Sequence, residues 1–277
     1  MIEMESKVKV VNNIEIPALG LGTFKLLGDL CVEAIKDALD IGYRHIDTAQ
    51  FYGNEEEVGT GIKKSTVSRN DIWLTTKVWH DSLSAADLTK TFEDSLKKLK
   101  TDYVDLLLIH WPSTTGVPLE ESLEAMTKLK EAGKAANIGV SNFPPAMFEQ
   151  AMELANIVCN QVEYHPFLSQ DTLLKMAVES NMFFTAYSPI GQGEVFKNDL
   201  LVNIAEKYNK NAAQVALRWL LQQGNVLAIP RSSKHENRKS NFDVFDFELN
   251  EEEMAQIFKI SSVTQKRMVN PDFAPAW

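Results

Sequence analysis

The chain has 277 residues, 44% hydrophobic and 24% charged, enough to bury a large core and too apolar for a disordered chain. Twenty-eight Lys plus Arg against 38 Asp plus Glu give a net charge of -10, which argues against a broad nucleic-acid surface. Two cysteines, Cys31 and Cys159, form no disulfide framework, the N-terminus does not read as a signal peptide, and no apolar run is long enough for a membrane span; a cytoplasmic globular protein is expected.

In chain order, Lys7–Val11, the Asn12-Asn13 turn and Ile14–Ile16 read as a β-hairpin. Short β-type runs then alternate with helix-period stretches. Strands are expected at Ala18–Gly22, His45–Asp47, Ile72–Thr76, Val104–Ile109, Ala136–Val140, Val158–Val162, Phe183–Ala186 and Val226–Ile229. Helices are expected near residues 30–41, 55–64, 85–98, 119–132, 145–154, 170–179, 200–208, 212–222, 236–241 and 251–260. No linker interrupts the series, so residues 1–277 read as a single domain. Eight strand–helix units predict an α/β fold of the (β/α)8 barrel type with an N-terminal hairpin and extra C-terminal helices. The rival, a doubly wound open sheet, needs a Gly-rich phosphate turn after its first strand. GLGTFK at 20–25 is a weak match, because Lys25 stands where the third glycine belongs.

Barrel active sites form where the strands end. Here the ends read Gly22-Thr23, Asp47-Thr48, Thr76-Lys77, His110-Trp111, Ser141-Asn142, Gln161, Tyr187-Ser188 and Pro230-Arg231-Ser232. Polar loop starts explain Ser, Asn and Thr; they explain Lys77 and His110 poorly. Tyr52 follows Asp47 by five residues, on the loop above that strand. A tyrosine is a poor acid near neutrality unless a cation favours its phenolate, and Lys77, paired with Asp47, is the available cation. With His110 to hydrogen-bond a carbonyl, the set could polarise a carbonyl and protonate its oxygen.

These strings, with GYRHIDTAQFYGNEEEVG at 42–59, TTKVW at 75–79, DLLLIHWP at 105–112, IGVSNF at 138–143, NQVEYHP at 160–166, YSPIGQG at 187–193 and AIPRSS at 228–233, resemble the aldo-keto reductase family over essentially the whole chain. RSSKHENRKSN at 231–241 and MVNPDFAPAW at 268–277 are most similar to its branch of bacterial 2,5-diketo-D-gluconate reductases. The resemblance implies NADPH-dependent reduction of aldehydes and ketones, with 2,5-diketo-D-gluconate, methylglyoxal and β-keto esters as substrate types, by a monomer without a metal. It implies Tyr52 as general acid, Lys77 lowering its pKa, Asp47 pairing with Lys77 and His110 orienting the carbonyl. For the cofactor it implies Ser141, Asn142 and Gln161 on the carboxamide, Tyr187 under the ring, and Gly22, Thr23 and Asp47 near the ribose. Ser188, Ile190 and Gln192 would line the pyrophosphate, Arg231 and Ser232 the 2′-phosphate, and Asn241 the adenine, with Ile229 also in contact. Phe24, Trp79 and Trp111 would join Tyr52 and His110 around the substrate, with Trp277 closing the pocket. The family's usual arginine is replaced by Asn237, so Lys234 or Arg238 is expected to stand in for it.

Other classes are weaker. The five histidines show no HxH or HExxH spacing for a metal hydrolase, and a Schiff-base lyase using Lys77 would be revealed by borohydride trapping with a carbonyl substrate. A non-catalytic nicotinamide-nucleotide-binding protein on the same fold remains the alternative.

Overall fold

The computed structural model describes residues 8–263 and 265–277. The hairpin pairs β1 (Val8–Val11) with β2 (Ile14–Pro17) antiparallel, in the register Val11 opposite Ile14. The first residue expected in it, Lys7, lies outside the described residues.

Eight parallel strands follow in one sheet: β3 (Leu21–Gly22), β4 (His45–Asp47), β5 (Trp73–Val78), β6 (Val104–Ile109), β7 (Ala135–Ser141), β8 (Cys159–Glu163), β9 (Phe183–Tyr187) and β10 (Val226–Ala228). Each pairs with the next in sequence. The sheet curls until its edges meet: Gly20 N–H donates to Ala228 O at 2.9 Å, Ala228 N–H to Ala18 O at 3.0 Å and Gly22 N–H to Pro230 O at 3.1 Å. This is the expected (β/α)8 architecture. Its strands are buried on both faces, which is why they read as continuous apolar runs such as Leu106–Ile109 rather than alternating ones.

The expected strand Ala18–Gly22 is shorter in the structure. Only Leu21 and Gly22 pair with β4, while Leu19 bridges β10. The glycines of GLGTFK serve that closure. A Cβ on Gly22 would lie 2.8 Å from the Ile229 carbonyl oxygen, and one on Gly20 would lie 2.8 Å from the His45 ring.

Outside the barrel run α1 (Gly28–Ile41), α2 (Glu55–Lys64), α3 (Ala85–Leu99), α4 (Leu119–Glu131), α5 (Pro145–Leu154), α6 (Asp171–Glu179), α7 (Asp199–Lys207), α8 (Ala212–Leu221), α9 (His235–Phe242) and α10 (Glu251–Val263). Their starts are encoded locally. The Ser84 hydroxyl caps α3 by accepting from Asp87 N–H, and Asn211 with Gln214 forms a reciprocal capping box on α8. No helix among the described residues is long and apolar enough to cross a membrane.

Candidate active site

The site is built from β4 outward. After Asp47 the chain passes through Thr48 and Ala49 into a 3-10 turn, Gln50–Tyr52, which ends at Gly53 in the left-handed region (φ 65°). Asn54 pins this turn. Its Oδ1 accepts from Thr48 Oγ1 at 2.8 Å, and its Nδ2 donates to the carbonyls of Thr23 and Leu26 at 2.9 and 2.8 Å. The loops after β3 and β4 are therefore one unit, and it carries Tyr52.

Lys77, on β5, is fully buried. Its ammonium has three N–H donors and three acceptors: Asp47 Oδ1 at 2.5 Å, Thr48 O at 2.9 Å and, more weakly, Tyr52 Oη at 3.4 Å. Asp47 Oδ2 accepts from Gln161 Nε2 at 2.8 Å. Because the tyrosine oxygen accepts from Lys77, its own O–H is left to donate elsewhere. The Tyr52 ring meets His110 edge-on at 5.6 Å and Phe24 at 5.0 Å between centroids.

Electrostatics set the resting protonation. Burial, with the Asp47 carboxylate, pushes the Tyr52 phenol well above its ordinary value. The direction is opposite to the lowering expected from Lys77, whose charge is already paired with Asp47. Burial also pushes the Lys77 ammonium down against the opposing pull of Asp47. It pushes His110 well below the usual imidazole range, reinforced by Lys77 and His80, so His110 is neutral. Its Nδ1 is buried without a hydrogen-bond partner.

Tyr52 is thus a protonated donor beside a neutral imidazole. The pH dependence follows from those directions. A donor is lost only when the phenol ionises, and its pKa is raised; His110 charges only at low pH, and its pKa is lowered. Were Tyr52 the acid of a carbonyl reduction, that reduction would be expected to stay flat between about pH 6 and 9, while the reverse alcohol oxidation, which would need the phenolate, rises with pH. Steady-state rates at saturating substrate in both directions check this; a reduction limb falling through neutral pH would contradict it.

The set expected to face a nicotinamide also lies together. Ser141 Oγ donates to Gln161 O at 2.8 Å, and Asn142 Nδ2 to Ser141 Oγ at 3.1 Å and His110 O at 2.9 Å. Tyr187 Oη donates to Asn142 Oδ1 at 2.8 Å, which locks its ring. Thr23 Oγ1 is buried with no partner, an unused polar atom at the β3 end of this group. Lys25, Asn142, Ser188 and Gln192, all in loops after strands, have φ between 48° and 64°. Such backbone persists where surroundings impose it, and it clusters at functional sites. Two amides, a fixed aromatic ring and an unused hydroxyl suit a nicotinamide and its ribose.

Farther out, Arg231 is exposed, while Ser232 is buried and its hydroxyl accepts from Lys234 N–H at 3.1 Å. Asn241 is buried on α9 and Ile229 is buried after β10. Ile190 stands at the start of the turn Gly191–Lys197 that holds Gln192. The expectation that Arg238 could stand in at the 2′-phosphate is not met. Its guanidinium forks onto Asp37 at 2.7 and 2.6 Å and reaches Ser232 O at 3.1 Å. Lys234 remains exposed, and neither it nor Arg231 has an ion-pair partner among the described residues.

Of the residues expected around the substrate, Phe24 and Trp79 stand near Tyr52 and His110, and Trp79 meets His110 edge-on at 5.0 Å. Trp111 is buried. The tail residue against Trp79 and Trp111 is Phe273, at 5.8 and 5.6 Å between centroids. Trp277 instead lies on the Arg267 guanidinium, 3.9 Å from its ring. Sequence reasoning missed Phe273, Asn54 and Phe51, which stacks on Trp79 at 4.0 Å and 8° from parallel. Phe51 could have been found, since it adjoins Tyr52; Asn54 and Phe273 act through partners distant in sequence.

A profile of the Aldo/keto reductase family matches residues 18–262. The chain belongs to the aldo-keto reductase family. It is 42% identical over 272 residues to glyoxal reductase of Bacillus subtilis, covering 97% of this chain and 96% of that protein. It is 39% identical over 267 residues to methylglyoxal reductase DkgB of Escherichia coli O157:H7, covering 95% and 99%. Among solved structures it superposes with a TM-score of 0.94 and 43% identity on a provisionally assigned 2,5-diketo-D-gluconic acid reductase B, covering 98% and 96%. Among the described residues of this aldo-keto reductase, no group of three or more His, Cys, Asp or Glu could hold a metal ion.

Proposed function

We propose that this protein is an NADPH-dependent reductase of small aldehydes and ketones, and that Tyr52 protonates the carbonyl oxygen. The observation that carries the reading is the Asp47–Lys77–Tyr52 chain, a buried ion pair running out to a half-buried phenol, with the neutral ring of His110 beside it. A reduced nicotinamide, when bound, supplies the hydride for the carbonyl carbon.

Every other part is supplied by the chain. Ser141, Asn142 and Gln161 offer the carboxamide its hydrogen bonds, and Tyr187 offers its ring a flat face. Phe24, Trp79, Trp111 and Phe273 exclude water and favour carbonyl compounds with some apolar surface. His110 holds the carbonyl oxygen within reach of Tyr52 Oη. Tyr52 gives up its proton, and the adjacent Lys77 ammonium stabilises the phenolate left behind. Glyoxal- and methylglyoxal-type dicarbonyls are the substrates proposed, from the names of the relatives. A monomer acting in the cytoplasm belongs to the same reading.

Turnover of NADPH with methylglyoxal, a β-keto ester and 2,5-diketo-D-gluconate tests it; NADPH binding without turnover of any of them would favour the non-catalytic alternative. The NADPH preference rests on Arg231, whose guanidinium fork suits a 2′-phosphate. Arg231→Ala should raise the NADPH KM about tenfold or more and the NADH KM less than about twofold, because only NADPH carries that phosphate. Equal effects on the two would remove the phosphate role.

A further inference from the structure

Glu163 ends β8, two residues beyond Gln161, so both side chains leave the same face of the strand. Its carboxylate is fully buried and has no part in the proton-transfer set. Three N–H groups converge on it. Oε1 accepts from His165 Nε2 at 2.9 Å and Met268 N–H at 2.6 Å, and Oε2 from Val269 N–H at 2.9 Å. The other nitrogen of His165 fixes its tautomer: Nδ1 accepts the Phe167 backbone N–H at 3.2 Å, so the ring proton is on Nε2 and points at Glu163.

Two of the three donors are consecutive amides of the C-terminal tail, more than a hundred residues away in sequence. A buried carboxylate that accepts backbone N–H groups makes strong bonds, and its loss strands both partners. Other tethers among the described residues include Lys266 N–H to Phe167 O at 2.7 Å, an exposed ion pair of Lys266 with Glu194, and the Arg267 guanidinium, whose charge acts on Glu163. The exposed pair contributes little. Four residues beyond Val269, Phe273 packs on Trp79, Trp111 and His80.

We propose that Glu163 is a positioning residue for the carbonyl pocket: by holding Met268 and Val269 it fixes the tail so that Phe273 stands as the outer wall, and so sets selectivity for carbonyl compounds long enough to touch that wall. The kinetic part rests on the reductase reading; the tether does not.

The test is Glu163→Gln in the full chain, where the carboxamide keeps the shape but turns an N–H₂ group toward one of the donors. Amide hydrogen exchange at Met268 and Val269 should speed about tenfold or more, with Gln161 unchanged. The KM for phenylglyoxal should rise about tenfold, that for methylglyoxal much less, and kcat should change less than about threefold. Phe273→Ala should raise the phenylglyoxal KM without altering exchange at Met268 or Val269, and adding Glu163→Gln to it should raise the KM no further. Should Glu163→Gln fail to fold, Val269→Pro deletes one donor, leaves β8 intact and must shift the same KM. Unchanged exchange, or additive KM effects of Glu163→Gln and Phe273→Ala, would overturn the proposal. A wild type that reduces neither substrate would contradict the reductase reading and the pocket role with it, while faster exchange in Glu163→Gln would still uphold the tether.

Discussion

Tyr52→Phe is expected to lower kcat for carbonyl reduction by a factor on the order of 10² to 10⁴, the usual worth of a positioned general acid. The fold should hardly notice. The hydroxyl's hydrogen bond from Lys77 is long, at 3.4 Å, and Lys77 keeps Asp47 and Thr48 without it. The ring contacts with Phe24 and His110 need no hydroxyl. NADPH affinity, read by fluorescence titration, should stay within about twofold, since a group that acts only in the transition state contributes to kcat rather than to ground-state binding. Near-normal turnover in this variant would remove Tyr52 from its role.

Lys77→Met should be costly in a second way. Asp47, itself buried, would keep its bond from Gln161 but lose its only ion-pair partner among the described residues. Breaking a buried pair from one side costs about 3–5 kcal/mol, because the remaining charge is stranded. Denaturant unfolding should register that loss, and turnover should fall with it. The double variant Asp47→Asn with Lys77→Met should recover most of the stability, since no buried charge is left unpaired. It should not recover turnover, because nothing then stabilises the Tyr52 phenolate. Recovery of both would mean that the pair is only structural.

Most of the fold was legible because each strand of a closed parallel barrel is an apolar run and each helix carries its own period. The strand read furthest beyond its observed length, Ala18–Gly22, failed for a non-local reason: its first residues hydrogen-bond to β10 at the seam, which no local pattern announces. Asp47, Lys77 and His110 stood out because charged or titratable groups at the ends of buried strands need a purpose, and the structure brings them to Tyr52. What stayed hidden depended on distant partners. Arg238 looked free for a phosphate until Asp37, from α1, was placed beside it. The upward push on Tyr52 reflects burial and the Asp47 carboxylate, whose combined effect spacing does not reveal. Glu163 and Phe273 matter through a tail that crosses back over the barrel end.

In the proposed function, the Asp47–Lys77–Tyr52 chain performs carbonyl reduction with NADPH. Loss of NADPH absorbance on adding methylglyoxal, run side by side for the wild type and Tyr52→Phe at equal cofactor occupancy, tests it most directly. Steady turnover is expected in the wild type, weaker turnover with NADH, and a loss of at least about a hundredfold in the variant. Equal rates in the two proteins, or cofactor binding with no turnover in the wild type, would contradict it.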